Sequence, residues 1–165
     1  MRALSLQKIR SIWRNNEGIA LIETALILPV LIIFIFGVLE FSWLICQQHM
    51  ISTGVSDAAR YIARSSTPND PTINQDAKYL ATTGAVDGTV LRVRGWKASD
   101  VDISYSFISN PVGNDGLTGL RGGPTIESVT VSTTFTVPSL GFFDILGLSP
   151  PTFRVLHQER VIGSG

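Results

Sequence analysis

Cysteine is all but missing: Cys46 is the one thiol in 165 residues. A lone cysteine excludes an intrachain disulfide framework and a zinc cluster of several thiolates, so an exported domain must hold itself by packing. Set among Trp43, Leu44 and Ile45, Cys46 reads as a small apolar residue. Net charge is missing too. Lys plus Arg and Asp plus Glu both number 13, so no whole-chain field points to nucleic acid or an acidic substrate. Histidine is scarce: His49 and His157 lie far apart without metal-ligand or triad spacing, and read as surface residues. The acids Asp57, Asp76, Asp87, Asp100, Asp102 and Asp115 stand singly, without the paired geometry that acid–base work needs. GLTGLRGG lacks the lysine-serine or lysine-threonine ending of a phosphate-binding loop and opens no predicted helix. The chain is therefore not read as an enzyme, and no cofactor, metal or small-molecule substrate is expected.

What is present is a long apolar run behind a basic end. Arg2, Lys8, Arg10 and Arg14 occupy the first fourteen residues without an acid. From Ile19 to Cys46 only Glu23 and Glu40 are charged. As a helix this run extends roughly 42 Å at about 1.5 Å per residue, more than a bilayer core of about 30 Å. A soluble core helix of that length would carry a polar stripe, whereas 25–39 is apolar on every face, so lipid is its solvent. It is too long for a signal-peptide core, and no small-x-small site closes it around Trp43 to Gln48. Arg2, Lys8, Arg10 and Arg14 keep the N-terminus cytoplasmic, while Phe41 and Trp43 suit the opposite headgroup level. Pro29 deprives the Ala25 carbonyl of its helical donor and is expected to kink the span.

Glu23 stands about one turn inside the run, where a carboxylate near mid-bilayer would cost about 2.5–3.5 kcal/mol. It sits at the interface or has a partner. Cleavage between Gly18 and Ile19 would create a new α-amine four residues before it. A short basic leader, Gly18, Glu23 and then an apolar helix resemble the type IV prepilin-like proteins. More closely, GIALIETALILPVLIIFIFGVLEF is similar to the TadE-like pilus-assembly family of tight-adherence (Flp-type) systems in Glu23, Ala25, Leu26, Pro29, Gly37 and Glu40. The resemblance continues through Asp57, Ala58, Ala59, Arg60, Tyr61 and Ala63, covering about the first 65 residues. It implies processing by a prepilin peptidase after Gly18, with Glu23 guiding docking against the new Ile19 amine of a neighbouring subunit. Glycine suits such a cut, since it permits an extended backbone. Thr24 follows Glu23 where the major pilins of this system carry an aromatic residue, which favours a minor, pilin-like component. In the alternative reading the anchor stays uncleaved and tethers a periplasmic binding or assembly-scaffold module, with the 110–124 loop as its capture surface.

Past the membrane, Ile51, Val55, Ala58 and Ile62 recur at helical spacing on one face, and Ser65, Ser66, Thr67 and Pro68 end the helix. After a loop through Pro71, a short helix is predicted over Gln75 to Thr82, broken by Gly84. Strands are predicted at Thr89 to Arg94, Val101 to Ile108, Ile126 to Val137 and Thr152 to Val161. In the second, Val101, Ile103, Tyr105 and Phe107 form the apolar face. Asn110 to Pro124 reads as a long hairpin loop. The apolar stretch Leu140 to Leu148 reads as a patch for interactions, a loop tucked under the sheet or, third, a re-entrant membrane contact.

The expected architecture is α+β and pilin-like: a long N-terminal helix, its inner half transmembrane and its outer half exported, packed on a small antiparallel sheet. The segments are a basic cytoplasmic leader (1–18), a transmembrane helix (19–46), an exported helix extension (47–66) and an exported α+β domain (67–165). Expected partners are the membrane, other pilin-like subunits, inner-membrane pilus assembly proteins and, transiently, the prepilin peptidase. The expected place is the bacterial inner membrane, single-pass, with the C-terminal domain periplasmic or extracellular. A reporter fused after Gly165 and active only outside the cytoplasm should therefore give signal; activity of a cytoplasm-only reporter there would reverse the orientation.

Overall fold

The computed structural model describes residues 16–113, 116–120 and 123–162. Helix α1 (Asn16–Ala63) is followed by α2 (Pro71–Thr83), a 3-10 turn (Ala98–Asp100), β1 (Val101–Ser109), β2 (Thr125–Thr136), the one-turn α3 (Phe142–Ile145) and β3 (Thr152–Arg160). The chain divides into two compact units between Phe41 and Ser42.

In the first unit α1 exposes Ile19, Leu26, Phe34 and Leu39 alike. It is long and apolar enough to cross a membrane, with none of its most apolar stretch buried.

In the second unit, from Ser42 onward, α1 changes character. Ile51, Val55, Ala58, Ala59 and Ile62 are fully buried on one face, the stripe expected from their spacing. Burying each of the larger side chains contributes about 1.5–3 kcal/mol. The stripe is covered by the domain's own α2 and sheet, in one core with Ala77, Ala81, Val93, Trp96, Val129 and Val131. The α+β architecture is as expected.

Helix α2 starts at Pro71, four residues before the predicted Gln75. Asp70 is the reason: its carboxylate accepts the Thr72 N–H (2.8 Å), and Pro71 occupies the first helical turn, where no N–H is needed. Gly84 ends the helix in the left-handed region (φ +89°), as its place after the apolar pattern suggested. Small side chains let α2 approach α1 closely. A Cβ added at Gly54 would lie 2.3 Å from the Ala81 carbonyl oxygen and 3.0 Å from the Trp96 ring.

The sheet is antiparallel in the order β1-β2-β3, with Val101 opposite Thr133 and Thr136 opposite Thr152. Its three strands match the last three predicted. The first prediction fails: Thr89 to Arg94 is an irregular strap. The apolar alternation there serves packing across the helices, since Val93 and Trp96 are buried while Val90 is exposed. Arg92 N–H donates to the Thr82 carbonyl (2.7 Å), and Trp96 N–H returns to Val93 O around Gly95 at φ +86°. A second correction concerns Phe107, which is exposed. The Tyr105 hydroxyl bonds Pro68 O and the Asn74 amide at the α1–α2 turn, so Phe107, one pleat further, projects beyond the helical layer.

Gly54→Ala should destabilise the domain by about 1–3 kcal/mol, because overpacking against a backbone oxygen outweighs the ~1 kcal/mol helix-propensity gain. The check is the denaturation midpoint of the full chain in detergent. Ser52→Ala, on the exposed side of α1, should stay within about 0.5 kcal/mol.

Candidate functional site

Gly18, Ile19, Glu23 and Pro29 all lie on the first unit's part of α1; Arg2, Lys8, Arg10 and Arg14 lie outside the described residues. Gly18 comes two residues after the helix start, and a Cβ there would meet nothing within 4 Å. Ile19 and Glu23 are exposed and four residues apart, hence neighbours on one helical face. Next to them the Thr24 hydroxyl donates to the Ala20 carbonyl (2.8 Å), a back-bond within the helix that leaves Glu23 the polar group turned outward. Glu40, the second acid of the run, is only 1% exposed. Helix α1 runs through Pro29 as one element.

The stretch Asp57 to Ala63 ties α1 to the strap, to α2 and to β3 and the residues just past it. The Asp57 carboxylate accepts from Arg92 of the strap (2.8 Å). Arg60 reaches Glu159 on β3 (3.5 Å), and the Tyr61 hydroxyl donates to Asp76 on α2 (3.5 Å). Ala58 and Ala59 are fully buried, and the Ala63 carbonyl accepts from Ile162 N–H just past β3 (2.8 Å). Burial, then the neighbouring charge of Asp76, raises the Tyr61 pKa above its ordinary value.

An open cleft of ≈ 730 Å³ lies along this stretch, lined by Arg60, Tyr61, Arg64, Ser65 and Ile73 among others. Of its lining groups, Asp57 and Arg60 are held in the ion pairs just described, and the Tyr61 hydroxyl is held against Asp76. Among the described residues no three His, Cys, Asp or Glu side chains gather as metal ligands. His157, read as a surface residue, is instead half-buried on β3, with its Nε2 at 2.9 Å from Glu159 Oε1. That hydrogen bond, ahead of the charge of Arg60, holds the Glu159 carboxyl below the usual carboxylate range.

Sequence reasoning missed Trp96 and Asn110. Trp96 is fully buried; its indole N–H donates to Thr133 Oγ1 (3.1 Å), which in turn donates to Asp100 O (2.6 Å). Asn110 closes the 110–124 hairpin loop: its side chain bonds Leu120 O (2.8 Å), Gly123 O (3.0 Å) and Leu120 N–H (2.9 Å). An Asn-Pro pair at a strand end signals a turn, but not a clamp across ten residues.

The apolar, exposed part of α1 and most of its buried distal stripe, Ile51 to Ala59, fall within one stretch of sequence. Residues 18–60 match the family model of TadE-like proteins. Over that segment the chain is similar to TadE-like proteins. The family is one of Tad pilus-associated proteins with an N-terminal membrane-anchor helix, and it is not an enzyme family. The match ends at Arg60, so α2 and the sheet lie outside it. No curated protein and no solved structure matches the chain.

A carboxylate held below its unfolded pKa stabilises the fold above that value, and the contribution is lost as pH falls through the folded pKa. Acid unfolding of the wild type should therefore include Glu159. Glu159→Gln should lower stability near neutral pH and show a shallower decline below the ordinary carboxylate range, read from denaturation midpoints across pH. An identical pH profile would show that the His157–Glu159–Arg60 group adds nothing.

Proposed function

We propose that this chain is a membrane-anchored minor pilin-like (pseudopilin) subunit that takes part in assembling a tight-adherence type pilus or a related secretion system. The observation that carries this reading is the TadE-like match on a helix whose first part is apolar and exposed all round and whose second part is covered by its own domain. Van der Waals packing of such a helix suits both lipid and a bundle of like helices. On this reading the subunit sits single-pass in the bacterial inner membrane, with Arg2, Lys8, Arg10 and Arg14 cytoplasmic and the α+β domain periplasmic or extracellular. Its partners are other pilin-like subunits and inner-membrane pilus assembly proteins.

The prepilin peptidase acts transiently, cutting between Gly18 and Ile19. That peptide bond lies near the start of α1, so the first turn unwinds for the cut, and glycine lowers the cost of doing so. Glu23 then docks against the Ile19 amine of a neighbour, an ion pair that offsets the cost of a carboxylate in an apolar layer.

Mass spectrometry of the protein from host membranes should find an N-terminus at Ile19 only when the peptidase is co-expressed. Glu23→Gln should insert normally yet lower piliation. A leader retained beside an active peptidase would point instead to a permanently anchored scaffold, and unchanged piliation would remove the docking role of Glu23.

A further inference from the structure

The β2–β3 connection, 138–151, carries a cluster of exposed apolar side chains for which the assembly reading has no use. Leu140, Ile145, Leu146 and Leu148 are all exposed, Ile145 by 83%. Asp144 is the one charge in the connection. Phe143 is buried and pins the turn to the domain core, so the other side chains are held outward by a fixed backbone.

Two features identify what covers them. The first is position. The Trp43 indole N–H donates to the Pro138 carbonyl at the root of the connection (3.4 Å), and Trp43 follows Phe41, the last residue of the apolar unit, by two positions. Tryptophan at the end of an apolar span marks the headgroup level, so the connection starts at that level. The second is the backbone. Ile145 N–H bonds Gly141 O, Leu146 N–H bonds Phe142 O, Gly147 N–H bonds Asp144 O and Leu148 N–H bonds Phe143 O. With the amides of 145–148 bonded within the segment, this part of the backbone meets the main condition for entering an apolar phase. Asp144 limits the depth, since its carboxylate stays among the headgroups.

We infer that the 138–151 connection is a second membrane contact: α3 and its flanking leucines lie in the headgroup–acyl boundary of the leaflet from which α1 emerges. The inference rests on the reading of α1 as a membrane anchor.

The test uses the full chain in vesicles of phosphatidylethanolamine and phosphatidylglycerol, with Cys46→Ser removing the native thiol. An environment-sensitive fluorophore is attached at Ile145→Cys and, in a separate protein, at Ser106→Cys. Ser106 pairs with Ser128, roughly 30 Å along β2 from Pro138 at about 3.3 Å per residue. Both sites are exposed, so the labels leave the core untouched. Flotation with the vesicles tests the anchor first; failure to float overturns both readings. For floating protein, quenching by chain-labelled nitroxide lipid should be at least about threefold stronger at 145 than at 106, with iodide quenching weaker at 145 by a similar factor. Equal iodide access at the two sites would overturn the contact. Protection from iodide without quenching by nitroxide lipid would also overturn it, and would assign the patch to a second copy of the chain.

Discussion

One unbroken helix has to satisfy two solvents, and the rest of the molecule is arranged around that constraint. From Ile19 to Phe41 its side chains, Glu23, Thr24 and Glu40 apart, are apolar in every direction, which water does not stabilise and lipid does. From Ile51 onward the same helix is amphipathic, and its apolar stripe is stable only under a covering layer. Helix α2, the 89–97 strap and the three-stranded sheet are that layer. The TadE-like segment ends inside the covered part, so the residues that carry the family likeness also include core residues of the domain.

The covering layer depends on close approach at Gly54. With no side chain there, Ala81 of α2 and the Trp96 ring reach the α1 backbone, and Trp96 fills the space between helix and sheet. An indole in a core needs a partner for its N–H, and Thr133 supplies it while donating its own O–H to Asp100 O. That chain of two bonds fixes the 3-10 turn at the start of β1 and so the register in which Val101 meets Thr133. Around this centre the ion pairs are peripheral: Arg60 is largely exposed, and such pairs contribute about 0–1 kcal/mol each.

Much of this was legible in the sequence because it is periodic. The spacing of Ile51, Val55, Ala58 and Ile62 declared a buried helical face, and the alternation of Val129, Val131 and Thr133 a central strand. Periodicity misled at Thr89 to Arg94, where the pattern is that of a strand but Arg92 turns to Asp57 and Val93 and Trp96 dive between layers. Those contacts join residues far apart in sequence, and no local window contains them. The start of α2 lies in Asp70-Pro71, where a capping carboxylate and a first-turn proline together open a helix, although proline alone also suits a loop. Of the site, the placement of Gly18, Ile19 and Glu23 on one exposed helix follows from sequence, whereas the tie between Trp43 and Pro138 needs the fold.

The two acids of the apolar run have different needs. Glu40 is 1% exposed, withdrawn from any surrounding medium. Glu23 is exposed on a helix whose neighbours are exposed apolar side chains, and its own helix turn offers no cation. In lipid a carboxylate so placed has two options: stay at the headgroups or find a positive charge on another molecule. Only the second gives the residue a use in assembly. It costs nothing in the isolated subunit as long as Glu23 rests at the interface. It becomes favourable once a neighbour presents an amine in the apolar layer, because a low dielectric strengthens the pair. On the proposed reading, a carboxylate tolerated alone and stabilised only beside a neighbour's amine would leave insertion independent of assembly and tie assembly to cleavage.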